Sequence, residues 1–229
     1  MNITDNLSKI YQRMEHACER AGRNPQEVKL IAVSKTKPAE LIAEVAKAGQ
    51  LDIGENYVQE FLAKRELLPD KIQWHFIGRI QSKKIKQIVG KTALIHSVDR
   101  LKLFNEIEKR ASALNIAVDC LLEVNVGDED SKGGTSIEEA GQMIEHVKQL
   151  QHVNLKGLMS IPPFLPDAEL IRPYHKRLFL LAEELRQKTA LPLEELSMGM
   201  SLDFEAAIEE GATMVRVGTD IFGARDYKK

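Results

Sequence analysis

Cysteine is scarce in this sequence. Cys18 and Cys120 are the two among 229 residues, too far apart for a zinc or redox spacing, so the reduced thiols of a cytoplasmic protein are expected. The histidines show no ligand spacing either, and no metal is expected. No apolar stretch approaches the length of a membrane span, and residues 1–11 lack the charged-then-apolar layout of a signal peptide. Neither sign of charge dominates: a formal net charge of -2 gives no general attraction to nucleic acid or to anionic membranes. Lys83, Lys84, Lys86 and Lys91 do form a basic face, but no aromatic residue accompanies it, so it reads as solvated surface and not as a nucleic-acid platform. There is no Pro/Gly/Ser-rich linker, no low-complexity tract and no shift of composition, which leaves residues 1–229 as one domain. With 43% hydrophobic and 29% charged residues, that domain can bury a proper core.

What the sequence has is a rhythm. Leu7, Ile10, Tyr11, Met14, Ala17, Cys18 and Ala21 recur at helical spacing and predict a helix over 4–21, ended by Gly22 and Asn24-Pro25. The apolar run at 30–33 is too short and too β-branched for a buried helix and predicts a buried parallel strand. A helix at 39–48 follows. Further strands are predicted at 52–56, 72–77, 93–98, 117–126, 153–161, 195–198 and 214–217. Helices separate them, one running to about 68 and others at 81–89, 100–114, 137–150, 168–189 and 203–210. Eight strands alternating with helices predict an α/β fold, a (β/α)8 barrel with an extra N-terminal helix. An open doubly wound sheet is the runner-up, but no Gly-x-Gly-x-x-Gly turn follows any strand.

Barrel sites lie at the carboxyl ends of strands, and phosphates often bind on the loops after strands seven and eight. The first strand ends in Lys35. Its ammonium either snorkels to water over a buried stem or belongs to an amine whose pKa is lowered by an apolar seat and which attacks a carbonyl. Other strand ends offer Asn56, His75 with Gly78, and Ser160. The segment Ser197-Met198-Gly199-Met200-Ser201 and the pair Gly218-Thr219 each supply hydroxyls, glycine and free backbone N–H groups. Either could be plain capping; two together, beside Arg216 and across from Lys35, point to a phosphate. Carbonyl chemistry at a lysine next to a phosphate suggests pyridoxal 5′-phosphate or the sugar phosphate of an aldolase. A buried arginine can donate to a pyridine nitrogen but cannot give up its proton, which favours the first. Asp128-Glu129-Asp130-Ser131-Lys132-Gly133 with Glu139 imitates a calcium loop, but Lys132 fills a ligand slot and a strand precedes it, so a solvated loop is expected.

These residues stand within longer motifs. Ala32-Val33-Ser34-Lys35-Thr36-Lys37, Gly54-Glu55-Asn56-Tyr57-Val58-Gln59-Glu60 and Trp74-His75-Phe76-Ile77-Gly78 come first. Gly157-Leu158-Met159-Ser160-Ile161-Pro162, Leu196-Ser197-Met198-Gly199-Met200-Ser201-Leu202-Asp203-Phe204 and the segment 211–223 follow. From Lys35 to Arg225 the chain resembles the pyridoxal phosphate homeostasis protein family, whose fold is the alanine-racemase type of barrel. The resemblance implies that Lys35 holds the cofactor as an internal aldimine, with Asn56 near the ring hydroxyl and Arg216 near the pyridine nitrogen. It further implies that Ser201, Gly218 and Thr219 hold the phosphate and that Met198 or Met200 lines the ring. His75 is either a cofactor neighbour or a hydrogen-bonded core histidine. One departure is visible: the family commonly has Gln-Ser-Asn-Lys after the third strand, and here it is Gln81-Ser82-Lys83-Lys84.

The function implied is non-enzymatic. A monomer would bind pyridoxal 5′-phosphate reversibly, buffer it and hand it to apo-enzymes, and so bear on amino-acid and keto-acid balance. The alternative is an amino-acid racemase. Alanine racemases use a tyrosine from an added β domain as the second base. Here the eight units consume the chain, and nothing singles out Tyr57, Tyr174 or Tyr227 as a substitute.

Overall fold

The computed structural model describes residues 2–127, 129 and 133–224. Its strands are β1 (Lys29–Val33), β2 (Asp52–Glu55), β3 (Gln73–Phe76), β4 (Leu94–Val98), β5 (Val118–Glu123), β6 (Val153–Met159), β7 (Glu195–Ser197) and β8 (Met214–Val217). They pair in sequence order, all parallel, and close through β1 and β8 into a barrel. The helices are α1 (Ile3–Arg20), α2 (Ala39–Lys47), α3 (Val58–Leu67), α4 (Leu101–Leu114), α5 (Ile137–Val147), α6 (Ala168–Thr189), α7 (Phe204–Glu209) and α8 (Thr219–Phe222). The barrel and its N-terminal helix are those the hydrophobic rhythm predicts.

Because strand side chains alternate, each strand feeds two cores. Inside the barrel, Ile31, Leu94, Leu121, Met159 and Met214 pack together. Leu30, Ala32, Leu122, Leu158, Val215 and Val217 point the other way, into a larger core shared with the helices. Helix α1 buries Ile3, Leu7, Ile10, Met14, Ala17 and Cys18, and the Asn2 side chain caps it by accepting from Asp5 N. It packs against α2, α7 and α8, and its Arg13 bridges Glu205 at 3.0 Å and Asp220 at 2.9 Å. The extra helix thereby braces the two segments that follow β7 and β8.

Four predicted elements differ by two residues or more at one end, and helix α5, expected at 137–150, ends at Val147. The helix expected at 81–89 is a 3-10 helix, Ser82–Gln87, with no side-chain cap and one buried residue, Ile85. Strand β5 ends at Glu123, because Asn125 N donates to Thr135 O and carries the chain off the β6 ladder. Strand β6 ends at Met159, shortly before Pro162 and Pro163, which have no N–H to offer a neighbour. The calcium-like segment includes Asp128, Asp130, Ser131 and Lys132, which lie outside the described residues. Among the described residues, no cluster of three or more His, Cys, Asp or Glu could hold a metal. No described helix is long and apolar enough to cross a membrane.

Candidate cofactor site

At the carboxyl ends of the strands a cavity of about 330 Å³ opens. Strand β1 delivers Val33 and Lys35 to it, and Lys35 is followed by Thr36 in the left-handed region, at φ 63°. Beyond β2, Asn56 lines the wall, and its buried Oδ1 has no hydrogen-bond partner. The backbone passes very close here. A Cβ on Gly78 would stand 2.2 Å from Asn56 O, so only glycine lets the exit of β3 run beside Asn56.

Strand β8 supplies Arg216, which is buried yet lines the cavity. Its Nη1 donates to Ser197 Oγ at 2.7 Å and its Nη2 to Ser160 O at 2.8 Å. Burial lowers the guanidinium to about 10, while Asp203 and Glu123 pull the other way, so it stays charged at neutral pH. Ser197 passes the connection on. Its Oγ lies 2.8 Å from His96 Nδ1, His96 Nε2 lies 2.9 Å from His75 Nδ1, and His75 Nε2 lies 2.9 Å from Asp52 Oδ1. Burial, with the charges of Arg216 and Lys29, holds His96 well below the usual imidazole range. A polar chain thus crosses the barrel interior from the amino end of β2 to the cavity.

The last wall is the loop after β7. Gly199 takes φ 87°, and a Cβ there would stand 2.5 Å from Ala207 Cβ. The turn is pinned by Asp203, whose Oδ1 accepts from Met200 N at 2.7 Å and whose Oδ2 lies 2.8 Å from His175 Nε2. Ser201 Oγ accepts from Gly218 N at 3.4 Å, joining the β7 loop to the β8 loop, where Thr219 opens α8. Lys37 closes the adjoining corner, donating to Phe222 O at 3.1 Å and Ala224 O at 2.8 Å. The outer rim is apolar: Ile161, Pro162, Pro163, Phe164 and Leu202.

Of the residues singled out from sequence, Lys35, Asn56, Met200, Ser201, Arg216, Gly218 and Thr219 share this cavity. Met198 does not line it. Ser197 points into the barrel, so its neighbour points out, into the core between strands and helices. His75 stays off the cavity wall as well, a hydrogen-bonded interior histidine. Sequence reasoning missed His96, Asp203 and the apolar rim. Strand alternation was the available signal for His96, which shares the inward face of β4 with Leu94.

The donor set fits a phosphorylated pyridine aldehyde. There is an amine at Lys35, a donor-only guanidinium at Arg216, and hydroxyl and backbone donors at Ser201, Gly218 and Thr219. Asn56 adds a buried acceptor lacking a partner. The sequence profile of the alanine racemase N-terminal domain matches residues 6–226. A pyridoxal phosphate homeostasis protein of Aquifex aeolicus is 50% identical over 228 residues, covering 99% of this chain and 100% of that one. The structure of PipY from Synechococcus elongatus, solved with pyridoxal phosphate bound, superposes with a TM-score of 0.86 at 36% identity, over 96% of this chain and all of that one. An alanine racemase of Clostridium difficile, 15% identical with a TM-score of 0.74 over 100% of this chain and 60% of its own, shares the fold alone. The chain belongs to the pyridoxal phosphate homeostasis proteins, built on the barrel of the alanine racemase N-terminal domain.

Proposed function

We propose that this protein binds pyridoxal 5′-phosphate in the cavity at the mouth of the barrel, holds it reversibly through Lys35, and releases it to apo-enzymes. The observation that carries this reading is the convergence of Lys35, Asn56, Arg216, Ser201, Gly218 and Thr219 on one cavity from four different strand ends. When bound, the cofactor supplies an aldehyde carbon with which an amine condenses, with loss of water. Lys35 provides that amine. Arg216, a donor without a removable proton at neutral pH, holds the pyridine nitrogen unprotonated and so limits how strongly the ring draws electrons. Asn56, whose buried Oδ1 has no partner, would accept from the ring hydroxyl, and Met200 would pack beside the ring. Ser201, Gly218 and Thr219 would hold the phosphate.

The reading is of a carrier and not an enzyme. A racemase needs an acid/base group on each face of its substrate. Beside Lys35, the wall carries Lys37, which donates to two carbonyls, and Asp203, which holds Met200 N and His175. Among the described residues no tyrosine lines the cavity, and Tyr227 lies outside the described residues. The same reading has the whole chain acting as one domain and a monomer in the cytoplasm. The single closed barrel supports the first of these, and the pair of buried free cysteines suits the last.

The test is a visible absorption titration with pyridoxal 5′-phosphate, followed by borohydride reduction and peptide mass mapping. The label is expected on Lys35, and Lys35→Ala should lose the absorption band. A label on Lys37 or any other lysine overturns the assignment.

A further inference from the structure

Helix α3 buries Val58, Phe61 and Lys64 on one face, so a lysine stands where the pattern calls for an apolar residue. It is 7% exposed. The ammonium uses its three donors on three oxygens: Ser34 O at 2.9 Å, Glu55 Oε1 at 2.6 Å and Glu60 Oε2 at 2.9 Å. Each oxygen belongs to a group tied to the chain beside Lys35. Ser34 is the residue before it, and its hydroxyl also donates to Glu55 Oε1 at 2.5 Å. Glu60 Oε2 accepts from the backbone N–H of Thr36, the residue after it, at 2.8 Å.

One buried cation therefore grips the backbone on both sides of Lys35. What it grips is strained. Thr36 is β-branched and lies at φ 63°, a conformation such residues adopt at a steric cost and only where their surroundings impose it. The cluster is also a poor device for stability. Glu55 is fully buried, its Oε2 has no partner, and burial pushes its carboxyl up against the pull of Lys64 and Ser34. Buried ion clusters of this kind are commonly no more stabilising than apolar packing.

We propose that Lys64 is a positioning residue for Lys35. Through Glu55 and Glu60 it fixes Ser34 and Thr36, and thereby the direction in which the Lys35 side chain enters the cavity. This rests on Lys35 being the point of covalent attachment. The cluster lies behind β1 and contributes no lining residue to the cavity, so its influence is on the aim of the amine and not on the phosphate or ring contacts.

The experiment compares two ligands on wild-type protein and Lys64→Met. Covalent capture of pyridoxal 5′-phosphate, in which the Lys35 amine replaces the aldehyde oxygen and water leaves, is followed by stopped-flow absorbance. Binding of pyridoxine 5′-phosphate, an alcohol that cannot be captured, is measured by calorimetry. Misaiming a reacting group by about 1 Å costs up to about 100-fold in rate. Capture should therefore slow about 10- to 100-fold in Lys64→Met, while pyridoxine 5′-phosphate affinity stays within about twofold. Unchanged capture overturns the proposal, and so does an equal loss for both ligands, which would mean a general loosening. If Lys64→Met does not fold, Glu60→Ala, at a half-exposed position, removes the Thr36 anchor and is read by the same two outcomes. Borohydride labelling of the wild type separates the premises: a label away from Lys35 sinks the assignment of Lys35 itself, whereas a label on Lys35 with unaltered capture in the variant sinks only the role of Lys64.

Discussion

Arg216 and Ser197 meet across the seam between β7 and β8, with Arg216 Nη1 donating to Ser197 Oγ at 2.7 Å inside the barrel. This contact sets the direction of the whole interior chain. An arginine only donates, so the Ser197 oxygen accepts and its hydrogen is left for His96 Nδ1, 2.8 Å away. The neutral His96 then carries its proton on Nε2 and donates to His75 Nδ1, and His75 Nε2–H donates to Asp52. Burial raises the Asp52 carboxyl, but the His75 hydrogen bond and the charge of Lys29 hold it below its ordinary value, which suits an acceptor at the end of the chain.

Nitrogen-15 spectra of the histidines should accordingly show His96 unprotonated at Nδ1 and protonated at Nε2. The reverse tautomer would contradict the chain. Ser197→Ala should destabilise the protein by about 1–3 kcal/mol for each buried group it leaves unpaired, Arg216 Nη1 and His96 Nδ1. Chemical denaturation measures this, and a loss confined to a few tenths of a kcal/mol would show that the hydroxyl carries no hydrogen bond of consequence.

The phosphate contacts are separable from the rest of the site. On the proposed reading, Ser201→Ala and Thr219→Ala each remove a charge-assisted hydrogen bond to the phosphate, worth about 1.5–3 kcal/mol. Affinity for pyridoxal 5′-phosphate should fall by about 10- to 150-fold for each. Pyridoxal, without the phosphate, should be nearly indifferent to both changes. Equal losses for the two ligands would mean that these hydroxyls only tie loops together, as Ser201 already does with Gly218 N.

Glu123, buried at the end of β5, gives the protein a pH dependence of its own. Burial and then Asp99 push its carboxyl up to about 7, against Arg216, Arg79 and Arg100. In the unfolded chain a glutamate titrates near 4.3, roughly. Between these values the folded protein holds a proton that the unfolded chain has released. Stability from this group is therefore lost as pH rises through the window, and the full cost, on the order of 3 kcal/mol, is reached above it. Glu123→Gln should match the wild type at about pH 4–5 and become the more stable of the two toward pH 8. A difference that does not vary with pH would refute the assignment.

The alternation of apolar runs made the barrel legible in the sequence, because each parallel strand is buried on both faces and each helix on one. Strand ends then located Lys35, Asn56 and Arg216, since a polar residue closing an apolar strand has few places to go. What escaped was direction. Met198 and Ser197 are adjacent, and only the contact of Ser197 with Arg216 and His96 tells which of them faces inward. Lys64 escaped for a related reason: one lysine on a helix stripe reads as snorkelling until Glu55 and Glu60 are seen to meet it. His96 lies 21 positions from its partner His75, and barrel closure, not spacing along the chain, brings them together.

Carrier and racemase part over proton transfer at the α-carbon of an amino acid. On the proposed reading Lys35, once displaced by an incoming amine, can serve one face. The described lining residues supply no second base for the opposite face, and on the rim Ile161, Phe164 and Leu202 are 40%, 88% and 46% exposed. Water reaching the site screens its charges and competes for the proton. On the same proposed reading Arg216 removes the remaining help, because a pyridine nitrogen that accepts from a guanidinium and is not protonated stabilises a carbanion poorly. Loaded protein incubated with L-alanine in deuterated water should therefore keep its α-hydrogen and its chirality over many minutes, while passing its cofactor to an added apo-enzyme. Racemisation at ordinary enzyme rates, about 1–1,000 per second, abolished by Lys35→Ala, would make this protein an enzyme and the carrier reading wrong.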